Sequence, residues 1–379
     1  MNIIIDIRPL MGGKHSGVEI YIRKLLENLF KTDRRNRYVL FANSSSDQSH
    51  NLPLFNQPNV TTIQTSIPNK VLNSGLMFFG RPRIDKLIGK HLPDFKPDLY
   101  FSPDLRPFSL SAGIKKVCVV HDLSFRHFPR YFSLKTRIWH KLLDARRSLR
   151  KFDKIIAVSE FTKNDLNATF GINIKKIAVI NEGVDDDFCA ADDINVDAGI
   201  RAKYCLPKDY FLFLSTLEPR KNLLRLIEAF KLYKQSHKDD FKLALVGTPN
   251  HKIFSGLRLE PHEDLIFTGF VPEKDKPHIF RMAAAFLYPS LFEGFGLPLL
   301  EAMKCGTPVI TSNISSMPEI CGPAALYVNP LSKAEIAEAM DRVLQPEIRE
   351  QLKREMASRI KRFSWKKCAD ETLRLLESV

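Results

Sequence analysis

Short apolar runs alternate along the chain with segments whose apolar residues recur at helical spacing. Apolar runs of four to eight residues between turn signals are typical of buried strands. In the first half, the pattern predicts strands at Ile3–Ile7, Tyr38–Ala42, Val60–Thr65, Leu99–Ser102, Lys116–Val120, Lys154–Ser159 and Lys176–Asn181, with helices at Val18–Phe30, Arg83–His91, Ser133–Lys151 and Glu160–Phe170. In the second half, it predicts strands at Tyr210–Thr216, Lys242–Val246, Leu265–Thr268, Ala283–Tyr288, Pro308–Thr311 and Ala324–Val328, with helices at Leu223–Gln235, Lys276–Ala284, Pro298–Cys305, Lys333–Leu344, Pro346–Arg362 and Trp365–Glu377.

This alternation predicts an α/β fold with two doubly wound, parallel-sheet domains. Composition changes after Asp185–Asp187 to an acidic, weakly patterned segment that ends near Lys208. We therefore predict an N-terminal domain at 1–190, a linker at 191–208 and a C-terminal domain at 209–363. The helix at 364–379 follows the completed second domain, and we predict that it packs back on the first. Ligands of such folds bind outside the carboxyl ends of the strands, here facing a central cleft.

Composition excludes several classes of protein. Hydrophobic residues make up 44% and charged residues 26% of the 379 positions, which is typical of globular domains and not of disordered chains. No apolar run approaches the roughly 18 residues of a membrane-spanning helix, and the N-terminus resembles a first strand, not a signal peptide. The six cysteines form no C-x-x-C pair, which disfavours a zinc ribbon or a disulfide scaffold. These features favour a cytoplasmic protein.

The net charge of +14 lies almost entirely in the first half. Residues 1–190 carry 30 Lys and Arg against 18 Asp and Glu, whereas residues 191–379 carry 27 against 25. The segment Arg130–Lys154 holds nine basic residues and two aspartates, with apolar residues at helical spacing. Two interpretations stay open: a solvated helix face, or attraction to anionic lipid head groups at the cytoplasmic face of the inner membrane. No helix-turn-helix, zinc-finger or RNP-like pattern supports a nucleic-acid partner.

The most specific motif spans Tyr288–Met303 (YPSLFEGFGLPLLEAM). There a buried strand ends, a loop with two glycines follows, and a proline stands near the start of a helix. The glycines allow close approach of a ligand to the backbone, and the helix start offers unpaired N–H groups that suit a phosphate. Glu293 lies in the loop and Glu301 just inside the helix, so both can face one ligand. A carboxylate is the usual partner of ribose hydroxyls, so this context favours a site over two surface charges.

The spacing from Glu293 to Glu301 resembles the E-x7-E motif of retaining glycosyltransferases of family 4, whose fold is the two-Rossmann-domain GT-B. Four further segments are similar to signatures of that family: STLEPRKN at 215–222, VVHDLSF at 119–125, AVSEFT at 157–162 and INEGVD at 180–185. These landmarks follow the family order from near residue 8 to near residue 330. The resemblance therefore covers essentially the whole chain.

The resemblance implies a role for each matched residue of the C-terminal half. Glu301 would bind the ribose of the donor, and Glu293 would contact the hydroxyls of the donor sugar. Lys221, with Arg220 beside it, would neutralise the diphosphate as it leaves. Four loop residues would complete the donor site: Gly294, Phe295, Gly296 and Leu297. Of these, the two glycines and Phe295 would donate backbone N–H groups to the sugar and the phosphate.

Two matched positions lie in the N-terminal half. His121 would contact the transferred sugar near C1. Gly17 matches one of two glycines that approach the donor phosphates. Two departures from the family pattern stand out. Ser16 replaces the first of those glycines, and Ser215-Thr216 replaces a Gly-Arg pair, so either Arg220 supplies the second cation or that cation is missing.

The resemblance implies a nucleotide-sugar donor as substrate, with no cofactor and no essential metal. Asp185-x-Asp187 fits the D-x-D pattern of metal-dependent GT-A enzymes, but a run of three aspartates matches it easily, and we interpret it as part of a loop. We expect transfer of mannose from GDP-mannose, with retention, to a glycan or lipid-linked acceptor. A UDP- or dTDP-sugar donor, a same-fold epimerase or phosphorylase, and a non-catalytic basic membrane- or nucleic-acid-binding protein remain the alternatives.

Overall fold

A computed structural model of the chain describes residues 1–13, 16–44, 52, 55–189, 194–247 and 262–379. These residues form two compact units. Unit 1 comprises Met1–Leu123, Leu134–Glu182 and Trp365–Val379, and unit 2 comprises Ser124–Ser133 and Gly183–Ser364. Each unit is built on one sheet in which every strand pair is parallel. The predicted α/β class with two doubly wound domains is confirmed.

The strands are β1 Asn2–Asp6, β2 Arg37–Asn43, β3 Val60–Thr65, β4 Leu99–Ser102, β5 Lys115–Val120, β6 Lys154–Ala157, β7 Ile177–Val179, β8 Tyr210–Leu214, β9 Lys242–Val246, β10 Leu265–Gly269, β11 Ala285–Tyr288, β12 Val309–Ser312 and β13 Ala325–Val328. The α-helices are α1 Gly17–Thr32, α2 Asn69–Ser74, α3 Ile84–His91, α4 Ser124–His127, α5 Leu134–Leu143, α6 Ala145–Arg150, α7 Glu160–Phe170, α8 Ile194–Lys203, α9 Leu223–Ser236, α10 Lys276–Met282, α11 Leu297–Lys304, α12 Met317–Cys321, α13 Lys333–Arg342, α14 Pro346–Arg359 and α15 Trp365–Glu377. A π-helix covers Gly75–Phe79, and short 3₁₀ helices cover Arg8–Gly12, Pro129–Tyr131, Ile174–Lys176, Asp186–Cys189, Pro219–Lys221, Glu273–Asp275, Gly322–Ala324 and Ile360–Arg362.

The sheet of unit 1 has the order β3-β2-β1-β4-β5-β6-β7. Ile3 pairs with Tyr38 of β2 on one side and with Leu99 of β4 on the other, and all three side chains are buried because helices cover both faces. The chain runs from β1 to β2 and β3, then returns to β4 on the other side of β1. This change of direction is a topological switch point, where open α/β sheets bind ligands beyond the carboxyl ends of their strands.

The C-terminal helix α15 belongs to unit 1, as the sequence predicts. It packs on α1, where the Trp365 ring meets the Tyr21 ring edge-on with centroids 6.0 Å apart. At the far end of α15, Glu377 accepts a hydrogen bond of 3.0 Å from Nη2 of Arg35. Cys368 and Leu376 are buried between these ends, so α15 completes the core of unit 1.

The sheet of unit 2 has the order β10-β9-β8-β11-β12-β13. Its central strand β8 is fully apolar and buried, and α9 and α13 pack together over the core. The segment at 191–208, which we predicted as a linker, carries α8 and belongs to this unit. Asp197 of α8 accepts from Nδ1 of His278 at 2.7 Å, and Lys203 donates to Asp275 at 2.6 Å. The units therefore divide after Glu182 instead of at a free linker.

The helix predicted at Ser133–Lys151 is interrupted. Asp144 adopts a left-handed conformation with a φ of 43°, which ends α5. Its carboxylate then caps α6 by accepting from the backbone N–H of Arg147 at 3.1 Å, a usual role for aspartate before a helix. Two short helices therefore carry the basic segment.

Candidate active site

The turn after β8 places two cations of unit 2. Arg220 and Lys221 lie in the 3₁₀ helix Pro219–Lys221, and Asn222 follows with a φ of 63°. The side-chain amide of Asn222 donates to the carbonyl of Pro289 at 3.0 Å and to that of Pro330 at 2.6 Å. The turn is thereby fixed to the loop that follows β11.

Glu293 in that loop receives both cations. Lys221 donates from Nζ to Oε1 of Glu293 at 2.5 Å and to the hydroxyl of Tyr288 at 2.6 Å. Arg220 donates from Nη1 to Oε2 of the same carboxylate at 2.9 Å. Lys221 and Glu293 are only 6% and 5% exposed. The structure therefore brings together three residues that the sequence singled out, and Arg220 is the second cation beside Lys221.

Burial and the neighbouring charges together determine the protonation state of Glu293. Burial alone raises the pKa of Glu293, but the neighbouring charges of Lys221 and Arg220 outweigh it and lower that pKa to about 2. Glu293 is therefore ionised at neutral pH. Glu218, which is more exposed, accepts from Nε of Arg220 at 3.1 Å. Cations that are already oriented in a buried site stabilise developing negative charge without further reorganisation.

The loop from Glu293 to Gly296 is held by two serines. Ser315 donates to the carbonyl of Glu293 at 2.6 Å, and Ser316 donates to the same carbonyl and to that of Phe295, both at 3.0 Å. Gly296 has a φ of 102°, and a Cβ there would lie 2.9 Å from Cδ1 of Leu299. Gly296 is therefore required by its backbone, whereas Gly294 has no positive φ. All residues from Glu293 to Leu297 are buried, and α11 begins at Leu297.

Glu301 lies in the second turn of α11 and is not part of the hydrogen bonds that join Arg220, Lys221 and Glu293. It is buried, and its Oε2 accepts no hydrogen bond from any described residue. Burial raises the pKa of Glu301 to about 7, although the charge of Lys276 lowers it. Buried polar atoms are nearly always hydrogen-bonded in folded proteins. Oε2 of Glu301 is therefore available to accept a hydrogen bond from a bound molecule.

His121 follows β5 in unit 1 and is fixed through both ring nitrogens. Nε2 lies 2.9 Å from the carbonyl oxygen of Pro103, and Nδ1 lies 3.6 Å from Oε1 of the buried Glu182. Because a carbonyl only accepts, Nε2 carries a proton. Burial lowers the pKa of His121, but the hydrogen bond and charge of Glu182 outweigh this and raise it. Glu182 therefore favours the protonated form of His121.

Gly17 is the first residue of α1. It is exposed, and a Cβ at this position would meet no atom within 4 Å. Ser16 precedes it and caps the helix by accepting from the backbone N–H of Glu19 at 3.4 Å. The replacement of the first glycine by serine thus provides a helix cap.

A cavity of about 520 Å³ lies at the switch point of unit 1. We call it the unit 1 pocket. Two ion pairs lie at the pocket, Arg8 with Asp6 at 2.5 Å and Arg106 with Asp104 at 3.0 Å, and Glu19 also lines it. The remaining polar lining includes three amides and a serine hydroxyl: Ser16, Asn43, Asn69 and Asn73. The pocket therefore offers neutral hydrogen-bonding groups beside two ion pairs and the carboxylate of Glu19.

The sequence did not identify several residues that hold the site. Tyr288 ends β11 directly before the glutamate motif, and its hydroxyl accepts from Lys221. Asn222, Ser315 and Ser316 act through contacts between distant parts of the chain. Glu182 lies in the matched segment INEGVD, and its charge within that segment could have identified it as a candidate site residue.

The described residues contain no group of three His, Cys, Asp or Glu side chains arranged to hold a metal ion. Asp186 is instead exposed and pairs with Lys304 at 2.9 Å. None of the helices in the described ranges is both long and apolar enough to cross a bilayer.

Two family profiles divide the chain. The family described as "Glycosyltransferase Family 4" matches residues 15–188, and "Glycosyl transferases group 1" matches residues 201–363. The O-antigen chain mannosyltransferase B of Escherichia coli is 30% identical over 289 residues, which are 74% of each chain. The serotype-specific mannosyltransferase WbdA of Escherichia coli is 31% identical over 280 residues, 70% of this chain but only 34% of that longer protein.

The solved structures agree on the fold. The sucrose-phosphate synthase of Thermosynechococcus elongatus superimposes with a TM-score of 0.75 at 20% identity, over 100% of this chain and 98% of that one. The strand order of the two parallel sheets, the family profiles and the sequence identity all indicate the same family and fold. The chain belongs to the family 4 glycosyltransferases of GT-B fold and is a hexosyltransferase.

Proposed function

We propose that this enzyme transfers mannose from GDP-mannose, with retention of configuration, to a glycan or lipid-linked acceptor in surface polysaccharide biosynthesis. The observation that carries the proposal is the buried cluster of Arg220, Lys221 and Glu293, with the unsatisfied carboxylate of Glu301 on the helix that follows. The names of the relatives, an O-antigen chain mannosyltransferase and a serotype-specific mannosyltransferase, support the choice of sugar and pathway.

In this proposal, unit 2 binds the donor. Lys221 and Arg220 bind the diphosphate, Glu301 accepts from the ribose hydroxyls, and Glu293 contacts the sugar. As the bond from C1 to the diphosphate breaks, the negative charge on the leaving phosphate grows, and the two cations stabilise it. The acceptor oxygen bonds to C1 on the same face, and its proton passes to the leaving phosphate. No side chain acts as nucleophile, and no metal or cofactor takes part.

A panel of donors tests the proposal. GDP-, UDP- and dTDP-sugars are compared by binding and by slow hydrolysis, and the anomeric configuration of the product is read by NMR. We expect GDP-mannose to be preferred, an α-linked product from the α-linked donor, and full activity in EDTA. Glu301→Ala and Lys221→Ala should each abolish transfer while the protein stays folded. Preference for a UDP- or dTDP-sugar would establish the alternative donor, and an inverted product would refute the mechanism.

A thermal-shift measurement separates the enzyme from a non-catalytic protein of the same fold. A donor-binding enzyme is stabilised by its own nucleoside diphosphate, because the ligand binds only the folded state. We expect GDP to raise the unfolding midpoint of the wild type and to leave that of Glu301→Ala unchanged. No shift with any nucleoside diphosphate would favour the non-catalytic alternative.

The unit 1 pocket is our candidate for the acceptor. Because both of its arginines are already paired with aspartates and Glu19 adds a carboxylate, it suits a neutral, hydroxyl-bearing sugar better than a phosphate. Asn73 lines the pocket in a half-buried position. We expect Asn73→Ala to raise the KM for acceptor and to leave the KM for donor unchanged. A change confined to the donor KM would place the acceptor elsewhere.

The basic segment Arg130–Lys154 is our candidate for attraction to an anionic membrane at the cytoplasmic face of the inner membrane. Helix α5 exposes Leu134, Ile138 and Leu142, one turn apart, among the basic residues of this segment. Neutralising Arg146, Arg147, Arg150 and Lys151 should reduce sedimentation with anionic liposomes. Unchanged sedimentation would leave these residues as a solvated helix face.

A further inference from the structure

A second surface of unit 1, outside the basic segment above, exposes large apolar side chains. Val71 of α2 is 62% exposed, and Phe78 and Phe79 of the π-helix are 58% and 79% exposed. Val71 and Phe79 also line a hollow of about 540 Å³ with Ile67 and Leu72. Soluble monomers rarely expose contiguous apolar groups of this kind, so such a patch indicates an interaction surface.

The exposed charges of the segment that carries this patch have one sign. Segment 67–92 carries five exposed basic residues: Lys70, Arg81, Arg83, Lys86 and Lys90. Of these, Arg81, Arg83 and Lys86 line the hollow. The single acidic residue of the segment, Asp85, is buried. Its carboxylate accepts from the backbone N–H of Ser111 at 2.9 Å and from the Ser111 hydroxyl at 2.5 Å. The exposed charge of the segment is therefore purely positive.

We propose that residues 67–90, which we call the Phe78–Phe79 face, dock on the surface of an anionic lipid bilayer. Val71, Phe78 and Phe79 insert at the level of the head groups. Arg81, Arg83 and Lys86 pair with lipid phosphates, with their aliphatic stems against the apolar hollow. A bilayer fits because apolar and cationic side chains line the same hollow, among them Val71, Phe79, Arg81, Arg83 and Lys86.

Helix α2 connects this face with the unit 1 pocket. Asn69 and Asn73, one helical turn apart, line the pocket, whereas Val71 between them is exposed and lines the hollow. Docking through this face therefore brings the pocket close to the head groups. A sugar carried on a membrane lipid is presented at that level. Presentation of the lipid-linked sugar to the pocket rests on the proposed acceptor site, whereas docking of the face on the bilayer does not.

Vesicle binding tests the proposal with the full chain. Vesicles of phosphatidylcholine, alone or mixed with phosphatidylglycerol, are sedimented with the protein. We expect wild type to bind the mixed vesicles, and Phe78→Ser/Phe79→Ser to bind at least about tenfold more weakly. Replacement of Arg81, Arg83 and Lys86 by Gln should weaken binding by roughly five-fold per cation and reduce the dependence on phosphatidylglycerol.

Matched controls exclude a general effect of removing surface side chains. Phe267 and Phe270 of unit 2 are 48% and 54% exposed, and Phe267→Ser/Phe270→Ser should bind vesicles as wild type does. Thermal unfolding checks that each variant is folded. Transfer to a water-soluble acceptor should be unchanged in Phe78→Ser/Phe79→Ser, so loss of docking is distinguished from loss of the proposed activity.

Three outcomes would overturn the proposal. The first is absence of wild-type binding to the mixed vesicles. The second is full binding by the folded Phe78→Ser/Phe79→Ser variant. The third is loss of binding only when Arg146, Arg147, Arg150 and Lys151 are neutralised, which would assign docking to the basic segment instead.

Discussion

Replacing Lys221 by Met tests the buried cluster most directly, because it removes the charge and keeps most of the volume. Glu293 would then remain buried with Arg220 as its main charged partner. Breaking a buried ion pair destabilises a protein by about 3–5 kcal/mol. We expect the lower end, about 3 kcal/mol, since Arg220 still donates to Oε2 of Glu293. For a unit of this size, that loss lowers the unfolding midpoint by roughly 6–12 °C.

The double variant Lys221→Met/Glu293→Gln separates stability from catalysis. With both charges removed, no uncompensated carboxylate stays buried, and most of the lost stability should return. Sugar transfer should stay abolished, because the cation that would bind the leaving diphosphate is still missing. The assays are urea unfolding and transfer from the preferred donor.

Lys242→Met provides a matched control on the surface. Lys242 donates to Asp264 at 2.5 Å, as short as the Lys221 contact, but its side chain is 28% exposed. Exposed pairs contribute about 0–1 kcal/mol, so this variant should stay near wild-type stability. If Lys221→Met is as stable as Lys242→Met, the buried pair lacks the energetic weight assigned to it. If Lys221→Met transfers sugar at the wild-type rate, its assigned role is refuted.

Three further predictions follow from single positions. The pKa of Glu301 is raised to about 7 in the folded protein, so ionisation of this carboxyl removes about 3 kcal/mol of stability as pH rises from 4.5 to above 7. In urea unfolding, Glu301→Gln should therefore be more stable than wild type at pH 8 and not at pH 5. An equal gain at both pH values would show that the carboxylate is not the cause. Gly296→Ala should lose about 1–3 kcal/mol, because its φ is 102°, whereas Gly17→Ala should unfold like wild type; equal unfolding midpoints would contradict the backbone argument. Glu182→Gln should lower the pKa of His121, followed by NMR of its ring protons, because Glu182 raises that pKa; an unchanged titration would assign the shift to Asp104, the other acidic group that acts on the ring.

The strands were predictable because each is a nearly continuous apolar run covered on both faces. β11 illustrates this: Ala285–Tyr288 lies within the predicted Ala283–Tyr288, and the glutamate motif follows it directly. The partners of the motif could not be predicted in the same way. Tyr288 and Lys221 are 67 positions apart, and their contact depends on β8 and β11 being neighbours in the sheet.

Local departures from pattern were also invisible in the sequence. Asp144 interrupts an otherwise continuous helical periodicity through one left-handed residue, whose carboxylate caps the next helix. Helix α8 lies in a segment with little apolar periodicity, and ion pairs from Asp197 and Lys203 secure it to unit 2. Such polar contacts form between distant residues and leave no periodic signal.

The position of α15 has a consequence for biosynthesis. The ribosome must finish the whole of unit 2 before Trp365, Cys368 and Leu376 emerge, so unit 1 stays without part of its core while its successor folds. During that interval, α1 lacks its packing partner, and nascent protein has an open apolar surface around Tyr21. The portion translated first is therefore the last to become fully native.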